Sequence, residues 1–383
     1  MELDQIKKAL LEFDKPENNI ENIFNMNLCN YCGACILVCP EDAIEYGDAK
    51  LTINDSCKKC GNCLEICSQN QKERYQSELF ERESNDKISS YYTPFSEIPI
   101  GDFANLYNCS TGKKEVLNHS MVGGTTLTLL ILALEEKLVD AVIITDFEKG
   151  KQFPVSKVTK EKSIVLKSGG SRYLPTFSLQ ILDQIEKDNS IQSVAITTLP
   201  CQAYAIKKLS MQEETRRLIE KVKFVFTLLC GSGLPSRRDI EQFLIKQNIE
   251  SDLSQLEVYS KKEKKFWRLN PQAQRRYIYM EEDGSKYDFS SSRILRTKTF
   301  PNCSSLCSDY TGFFSDISIG GANIASNFVI ARTNEGDNLV KKAIEKGYLM
   351  KKKRFSKLDE LIIIFMGKNK REKNRNAFQK IFS

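Results

Sequence analysis

Short apolar segments alternate with amphipathic segments through the middle of the chain. The runs 139–144, 193–197 and 222–229 are continuous apolar stretches with the length of buried strands. Helical spacing of apolar positions occurs before, between and after them, at 125–137, 176–187, 202–209 and 237–247. Strands separated by helices predict an α/β region with a mostly parallel sheet.

The pattern changes towards both ends. Residues 1–24 have helical spacing, and the polar segment 71–100 is interpreted as a linker between a first domain, 1–70, and a second, 101–350. Within the second domain, 255–300 contains the turn Asp283-Gly284 and predicts an antiparallel insertion, whereas 336–349 predicts a helix. The remainder, 351–383, is a basic tail with one strand-like apolar run at 361–366.

Composition places the chain among ordinary globular proteins. It has 383 residues, 41% of them hydrophobic and 28% charged, which excludes disordered and collagen-like classes and suggests two to three domains. The longest largely apolar run, 121–134, is too short and too polar to span a bilayer. The first twelve residues lack the apolar core of a signal peptide. We therefore expect a cytoplasmic protein that is not integral to a membrane.

Charge changes this picture only slightly. The formal net charge is +6, and the basic tail lacks the interleaved aromatic residues that stack on bases. The tail is interpreted as a solvated face or a contact for an acidic partner, and no nucleic-acid binding is expected.

Cysteine usage is far more informative. The chain has 13 cysteines and a single histidine, His119. In a cytosolic protein so many cysteines are ligands more often than disulfides. The composition therefore points to thiolate-bound metal, either zinc or iron–sulfur.

Eight of the cysteines form two motifs with the same internal spacing. The first is Cys29-x2-Cys32-x2-Cys35-x3-Cys39-Pro40, and the second is Cys57-x2-Cys60-x2-Cys63-x3-Cys67. This is the spacing of a bacterial-type ferredoxin with two [4Fe–4S] clusters, in which the fourth cysteine of each motif ligates the other cluster. One predicted cluster is held by Cys29, Cys32, Cys35 and Cys67, and the other by Cys57, Cys60, Cys63 and Cys39. Structural zinc is the alternative, but it takes four ligands, usually as two separated pairs.

Four further cysteines are candidates for another site: Cys201, Cys230, Cys303 and Cys307. Cys201 and Cys230 each follow a predicted strand, so a parallel sheet would place them at one carboxyl edge, where sites form. A four-thiolate third cluster and buried, unreactive cysteines both remain open from spacing alone. Cys109 is interpreted as a plain buried or free thiol.

Two segments that contain glycine pairs are candidates for binding a cofactor. Gly123-Gly124-Thr125-Thr126 opens a predicted helix, whose N-terminal N–H groups suit a phosphate or a flavin carbonyl. Ser168-Gly169-Gly170-Ser171-Arg172-Tyr173 combines glycine, arginine and an aromatic residue. Composition alone favours a surface turn for both segments.

Taken together, these segments resemble the coenzyme F420 hydrogenase/dehydrogenase beta-subunit family, in the form with an N-terminal ferredoxin domain. The resemblance covers roughly 25–350 and also rests on Pro200-Cys201-Gln202, Cys230-Gly231, Cys303-x3-Cys307-x-Asp309 and Asp316-Ile317-Ser318-Ile319-Gly320. It implies an α+β ferredoxin-like dicluster domain followed by an α/β flavin-binding domain. It also implies FAD, a third [4Fe–4S] cluster near the flavin, and flavin contacts at Gly123, Gly124, Thr125, Thr126, Ser168, Gly170, Ser171, Arg172, Tyr173, Pro200 and Gln202.

The function implied by the resemblance is a redox one. Coenzyme F420 would be the hydride substrate, and electrons would pass through FAD and the clusters to ferredoxin or to a partner subunit of a hydrogenase, dehydrogenase or reductase complex. Two alternatives remain: a ferredoxin-dependent flavin reductase of another organic substrate, and a non-catalytic electron-transfer subunit. Thr198 and Gly321 stand where the family usually has a glycine and an acidic residue, which leaves the hydride partner open.

Overall fold

The computed structural model describes most of the chain in separate ranges. They are 20–47, 50–70, 99–146, 148, 154–170, 174–249, 256–260, 275–280, 284–290, 293, 296, 302–323, 325–352 and 355–382. The predicted helix over 1–24 is described only from residue 20, and nearly all of the predicted linker lies outside these ranges.

A small lobe contains both ferredoxin-type motifs. Its elements are helix α1 (Ile20–Asn25), helix α2 (Ala34–Leu37), strand β1 (Ile44–Gly47), strand β2 (Lys50–Ile53) and helix α3 (Asn62–Ile66). The two strands pair antiparallel, and each short helix begins directly after the glycine of a cysteine motif, Gly33 or Gly61. Leu28, Leu51 and the thiols of Cys35 and Cys67 share one small core.

The described part of the large lobe is built on an eight-stranded mixed sheet, in the order β13-β3-β12-β11-β7-β6-β4-β5. Its strands are β3 (Asn105–Thr111), β4 (Ala141–Asp146), β5 (Val155–Thr159), β6 (Val194–Thr198), β7 (Val222–Leu228), β11 (Ile317–Asn323), β12 (Ser326–Ala331) and β13 (Leu349–Lys351). The centre, β11-β7-β6-β4, is parallel, whereas β12, β13 and β5 run the other way.

Helices cover both faces of this sheet. They are α4 (Lys114–His119), α5 (Thr125–Glu135), α6 (Lys162–Lys167), α7 (Leu182–Lys187), α8 (Pro200–Met211), α9 (Glu213–Arg216), α10 (Arg237–Ile245), α11 (Asn334–Glu345) and α12 (Lys357–Phe382). One apolar core joins α5 and α11 to the sheet, and a second joins α7 and α8 to its other face. Cys32, Ala34 and Ile66 belong to the second core, so the small lobe packs on that face.

The three predicted strands are confirmed as β4, β6 and β7. The helices predicted over 125–137, 202–209 and 237–247 are confirmed with shifted ends, but only the second half of 176–187 is helical, and the helix predicted over 336–349 ends at Glu345, before β13. The expectation of a mostly parallel sheet is confirmed in its coarse form. Five strands, β3, β11, β7, β6 and β4, run in one direction, and β12, β13 and β5 run in the other, which makes the sheet mixed. The strands described at 256–290, β8 (Leu256–Ser260), β9 (Arg275–Met280) and β10 (Lys286–Ser290), form a separate antiparallel sheet, as predicted.

The C-terminal tail corrects the sequence interpretation. The run 361–366 was expected to be strand-like, but it lies inside the 26-residue helix α12. A short apolar run has no decisive period of its own, and its neighbours here are strong helix formers such as Leu, Met, Lys and Glu.

Candidate iron–sulfur centres

The thiols of the first predicted cluster lie together in the small lobe. Cys29, Cys32, Cys35 and Cys67 are close enough for their charges to influence one another. Gly33 has φ +83°, which turns the backbone between Cys32 and Cys35 before α2 begins. The backbone N–H of Tyr31 donates to Cys29 Sγ at 3.3 Å, a bond type that tunes iron–sulfur clusters.

The second predicted cluster lies next to the first, on the outer side of the lobe. Cys63 is close to both Cys60 and Cys67, and the Ala43 N–H donates to Cys39 Sγ at 3.2 Å. Cys60 is exposed, whereas the first group is largely buried. The division of ligands between the two clusters stays a prediction.

Cys201, Cys230, Cys303 and Cys307 line one cavity. Cys201 is the second residue of α8, directly after β6, and Cys230 follows β7. Cys303 and Cys307 lie in the loop that precedes β11. The parallel strands thus bring two of the cysteines to one carboxyl edge, and the loop supplies the other two.

The thiols of the first cluster group and Cys201 of the four-cysteine cavity have the chemistry of thiolate ligands to a cluster. Burial raises the pKa of the Cys29, Cys35 and Cys201 thiols well above the usual range, and raises that of Cys32 to about 12. Such thiols become thiolates only when a positive charge replaces the lost water, and iron supplies that charge. Among the described residues no three His, Cys, Asp or Glu side chains are close enough to hold a single ion.

Gly233 fixes how closely the backbone approaches one of these thiols. Its φ is +69°, and a Cβ at this position would lie 2.7 Å from Cys303 Sγ and 3.0 Å from Ser304 Cβ. Any larger residue at this position would therefore force the Cys303 side chain or the Gly233 turn to shift. The sequence analysis did not single out Gly233. The signal that could have found it is its position three residues after the candidate ligand Cys230.

The four-cysteine cavity adjoins the first cluster group. Asn30 and Tyr31, which lie between Cys29 and Cys32, form part of its wall. Gln69 Nε2 donates to the Cys303 carbonyl at 3.1 Å, and Cys303 is close enough to influence the pKa of Cys29. Two of the predicted iron–sulfur sites are therefore immediate neighbours.

A lysine of the C-terminal helix completes the cavity. Lys370 is only 4% exposed, and its Nζ donates to the Cys230 carbonyl at 2.7 Å. Burial would lower the pKa of this ammonium, but the nearby charges of Cys307, Cys230 and Asp309 outweigh burial and raise it. The tail was expected to be a solvated face, and at Lys370 that expectation is wrong.

Some of the predicted flavin contacts lie together around the start of α5. Gly123 (φ +60°) and Gly124 (φ +74°) lead into α5. A Cβ on Gly169 would lie 3.0 Å from Leu127 Cδ1, so the segment of Ser168 and Gly170 lies against the same helix. Thr125 Oγ1 is buried and has no hydrogen-bond partner among the described residues, which leaves an acceptor and donor for a ligand at this helix start.

The other predicted flavin contacts are placed differently. Pro200 lines the four-cysteine cavity, and Gln202 Oε1 accepts from the Leu199 N–H at 2.7 Å, which caps α8. Thr126 is half-buried in the first turn of α5. Ser171, Arg172 and Tyr173 lie outside the described residues.

The two departures from the family pattern have different surroundings. Thr198 is buried, and its hydroxyl lies 2.7 Å from that of Thr227 across β6 and β7, so it stabilises the sheet. Gly321 is exposed, and a Cβ there would meet only Val122 Cγ1 at 3.8 Å. The structure therefore has room for a larger side chain beside Val122.

Other residues of the resemblance stabilise loops. Asp309 accepts backbone N–H bonds from Thr311, Gly312 and Phe313 at 2.7–2.9 Å, which fixes the turn after Cys307. Asp316 accepts from Val225 N at 2.8 Å and joins β7 to the start of β11.

In the ranges that the structure describes, no helix has the length and apolar character needed to cross a membrane.

A ferredoxin-type lobe packed on an α/β sheet, with a further four-cysteine cavity where they meet, defines an iron–sulfur redox protein. The chain belongs to the coenzyme F420 hydrogenase/dehydrogenase beta-subunit family. The C terminus of that family's beta subunit matches residues 191–356, and its N-terminal part matches 106–183. A 4Fe-4S binding domain matches residues 23–45.

Two of the relatives that the chain resembles have names that state a redox activity. The coenzyme F420 hydrogenase subunit beta of Methanosarcina barkeri is 23% identical over 65% of this chain and 81% of its own length. The coenzyme F420-dependent sulfite reductase of Methanocaldococcus jannaschii is 23% identical over 86% of this chain, which spans about half (48%) of that protein.

One solved structure has the same fold over much of its length. A chain of the F420-reducing [NiFe] hydrogenase complex from Methanosarcina barkeri superposes with a TM-score of 0.57 and 21% identity, covering 74% of this chain and 93% of the other. At this identity the likeness is one of fold.

Proposed function

We propose that this chain is an iron–sulfur flavoprotein oxidoreductase that passes electrons between coenzyme F420 and [4Fe–4S] clusters, and between these and a partner subunit or ferredoxin. The observation that carries the proposal is the convergence of Cys201, Cys230, Cys303 and Cys307 in one cavity against the first ferredoxin motif. Isolated buried cysteines would have no reason to meet there.

The same arrangement supports an order for the redox groups. The four-cysteine cavity adjoins the group of Cys29, Cys32, Cys35 and Cys67, and the group with the exposed Cys60 lies beyond it. An exposed outer group suits exchange with a partner protein, and a buried inner group suits exchange within the chain. The residues allow electron flow in either direction.

Coenzyme F420 enters the proposal through the family and its named relatives. A bound flavin would accept two electrons from a hydride donor and release them singly to iron–sulfur centres. In this chain the start of α5, directly after Gly123 and Gly124, offers the buried Thr125 hydroxyl, which has no partner among the described residues, for such a cofactor. Hydride transfer requires positioning more than a side-chain base, which agrees with the single histidine.

The test is a cofactor analysis of protein purified without oxygen. We expect about twelve irons, as three cubanes of four, with one FAD per chain. Reduced coenzyme F420 should then bleach the flavin absorbance, while the same amount of oxidised coenzyme should leave it unchanged.

Other results would select the alternatives. About eight irons without flavin would contradict the proposal and leave an electron-transfer subunit with two clusters. A flavin that reduced ferredoxin bleaches but reduced coenzyme F420 does not would indicate a ferredoxin-dependent reductase of another organic substrate.

A further inference from the structure

Helix α12 reaches the four-cysteine cavity from beyond the region that the family match covers. That match ends at residue 356, and the helix spans Lys357–Phe382. A reciprocal cap starts it: Asp359 N donates to Ser356 Oγ at 3.1 Å, and Ser356 N donates to Asp359 Oδ2 at 3.0 Å. The helix therefore has a defined beginning and register.

One face of α12 packs on the protein. Ile363, Gly367, Lys370 and Asn374 are buried and follow one another at helical spacing. A Cβ on Gly367 would lie 2.7 Å from the Pro99 carbonyl, so the helix approaches its support very closely there. The two polar members of this face, Lys370 and Asn374, are only 4% and 3% exposed.

Both polar side chains hold backbone next to cluster ligands. Lys370 Nζ donates to the carbonyl of Cys230 at 2.7 Å, and Asn374 Nδ2 donates to the carbonyl of Ser305 at 2.8 Å. Ser305 lies midway between Cys303 and Cys307. One turn of α12 thus fastens two of the three segments that supply thiols to the cavity.

We propose that Lys370 is a positioning residue for the third cluster, and that its buried ammonium raises the reduction potential of that cluster. The proposal rests on the proposed function, since it requires a cluster on Cys201, Cys230, Cys303 and Cys307. Asn374 acts with Lys370 by holding the loop of Cys303 and Cys307 in place.

The physical reason is charge. A cluster that accepts one electron from a donor gains one negative charge, and a cation fixed nearby in a poorly solvated cavity stabilises that state. The Asp309 carboxylate also lies near Lys370, and its oxygens accept backbone N–H bonds from Thr311, Gly312 and Phe313. Lys208, the lysine beside Cys67, belongs to the first cluster group.

The experiment is a redox titration of the full-length protein with dithionite, followed by EPR, after iron analysis of each variant. Lys370→Gln keeps a hydrogen-bond donor without the charge, Lys370→Met removes both, and Lys370→Arg keeps the charge. Lys368→Met is the matched control, because Lys368 is exposed on the same helix.

We expect both neutral variants to disfavour reduction of the third cluster by at least tenfold, a potential lower by about 59 mV for a one-electron couple. The ferredoxin-type clusters should keep their potentials, and Lys370→Arg and Lys368→Met should resemble the wild type. An unchanged potential in Lys370→Gln with full iron content would overturn the proposal.

If the Lys370→Gln and Lys370→Met variants lose the third cluster, its potential cannot be measured, and the iron content becomes the readout. Loss in Lys370→Gln that Lys370→Arg restores would support the proposal, whereas equal loss in Lys370→Arg would overturn it. A wild-type protein with only about eight irons would instead contradict the proposed function, because no third cluster would then exist.

Discussion

The space around the Cys303 thiol is limited by single neighbouring residues. Cys303 Sγ lies 3.7 Å from the Leu234 carbonyl, and Gly233 packs against the same sulfur. The left-handed φ of Gly233 and the absence of a Cβ together let this turn approach the thiol. A glycine here therefore serves the geometry of the cluster ligand as well as the turn.

We predict that Gly233→Ala lowers the iron content from about twelve to about eight per chain, because the new methyl group would displace Cys303 Sγ from the cavity. Iron and acid-labile sulfide measured on anaerobic protein check this. Gly347→Ala is the matched control: its φ of +70° imposes the same strain, but nothing lies within 4 Å of its Cβ. Full iron in Gly233→Ala would contradict the prediction.

Helix α8 connects the cavity to the small lobe. Cys201 lies in its first turn, and Lys208 lies two turns further along, on the same side. Lys208 Nζ donates to the carbonyls of Glu65, Cys67 and Asn70 at 2.8, 2.9 and 3.2 Å. The ammonium thus binds the C-terminal end of α3, where exposed carbonyls favour a cation.

We predict that Lys208→Met loosens the small lobe, since a charge-assisted hydrogen bond contributes about 1.5–3 kcal/mol. Amide hydrogen exchange at residues 62–70 should become faster, while exchange in β6 and β7 stays unchanged. Lys207→Met serves as the control, because Lys207 is exposed on the same helix. Equal exchange in the two variants would mean that Lys208 does not hold the lobe.

The whole molecule joins two architectures at one face of the sheet. Leu179 N donates to the Cys32 carbonyl at 2.9 Å, and Tyr31 and Tyr46 both pack on the Phe177 ring. These contacts keep the first cluster group against the cavity of the large lobe. The four-cysteine cavity, the first cluster group and the group with Cys60 therefore lie in sequence only because the small lobe packs on the large lobe. Neither lobe alone contains all three groups.

We predict that Cys201→Ala removes about four irons per chain and leaves the two ferredoxin-type clusters EPR-visible. Cys109→Ala should keep all of the iron, because Cys109 is a fully buried core residue of β3. Iron analysis and EPR of the reduced proteins check both variants. Loss of all clusters in Cys201→Ala would show that the three groups do not assemble independently.

Local signals in the sequence were sufficient for the motifs and the central strands. The eight ferredoxin-type cysteines have a spacing that only a few metal sites use, and continuous apolar runs identified β4, β6 and β7. Strand β11 escaped prediction because Gly320 and Gly321 interrupt its pattern, and the position of β11 and β12 between β7 and β3 depends on distant pairing.

The sequence by itself thus determined the type of chemistry, because ligand spacing within a loop is local. Only the tertiary structure decided that Cys201, Cys230, Cys303 and Cys307 meet, since they come from three segments up to about a hundred residues apart. It also turned a basic tail into helix α12, whose Lys370 lies buried beside those thiols. Burial of one lysine among many depends on which helix face meets the protein, and that is fixed by packing and not by local sequence.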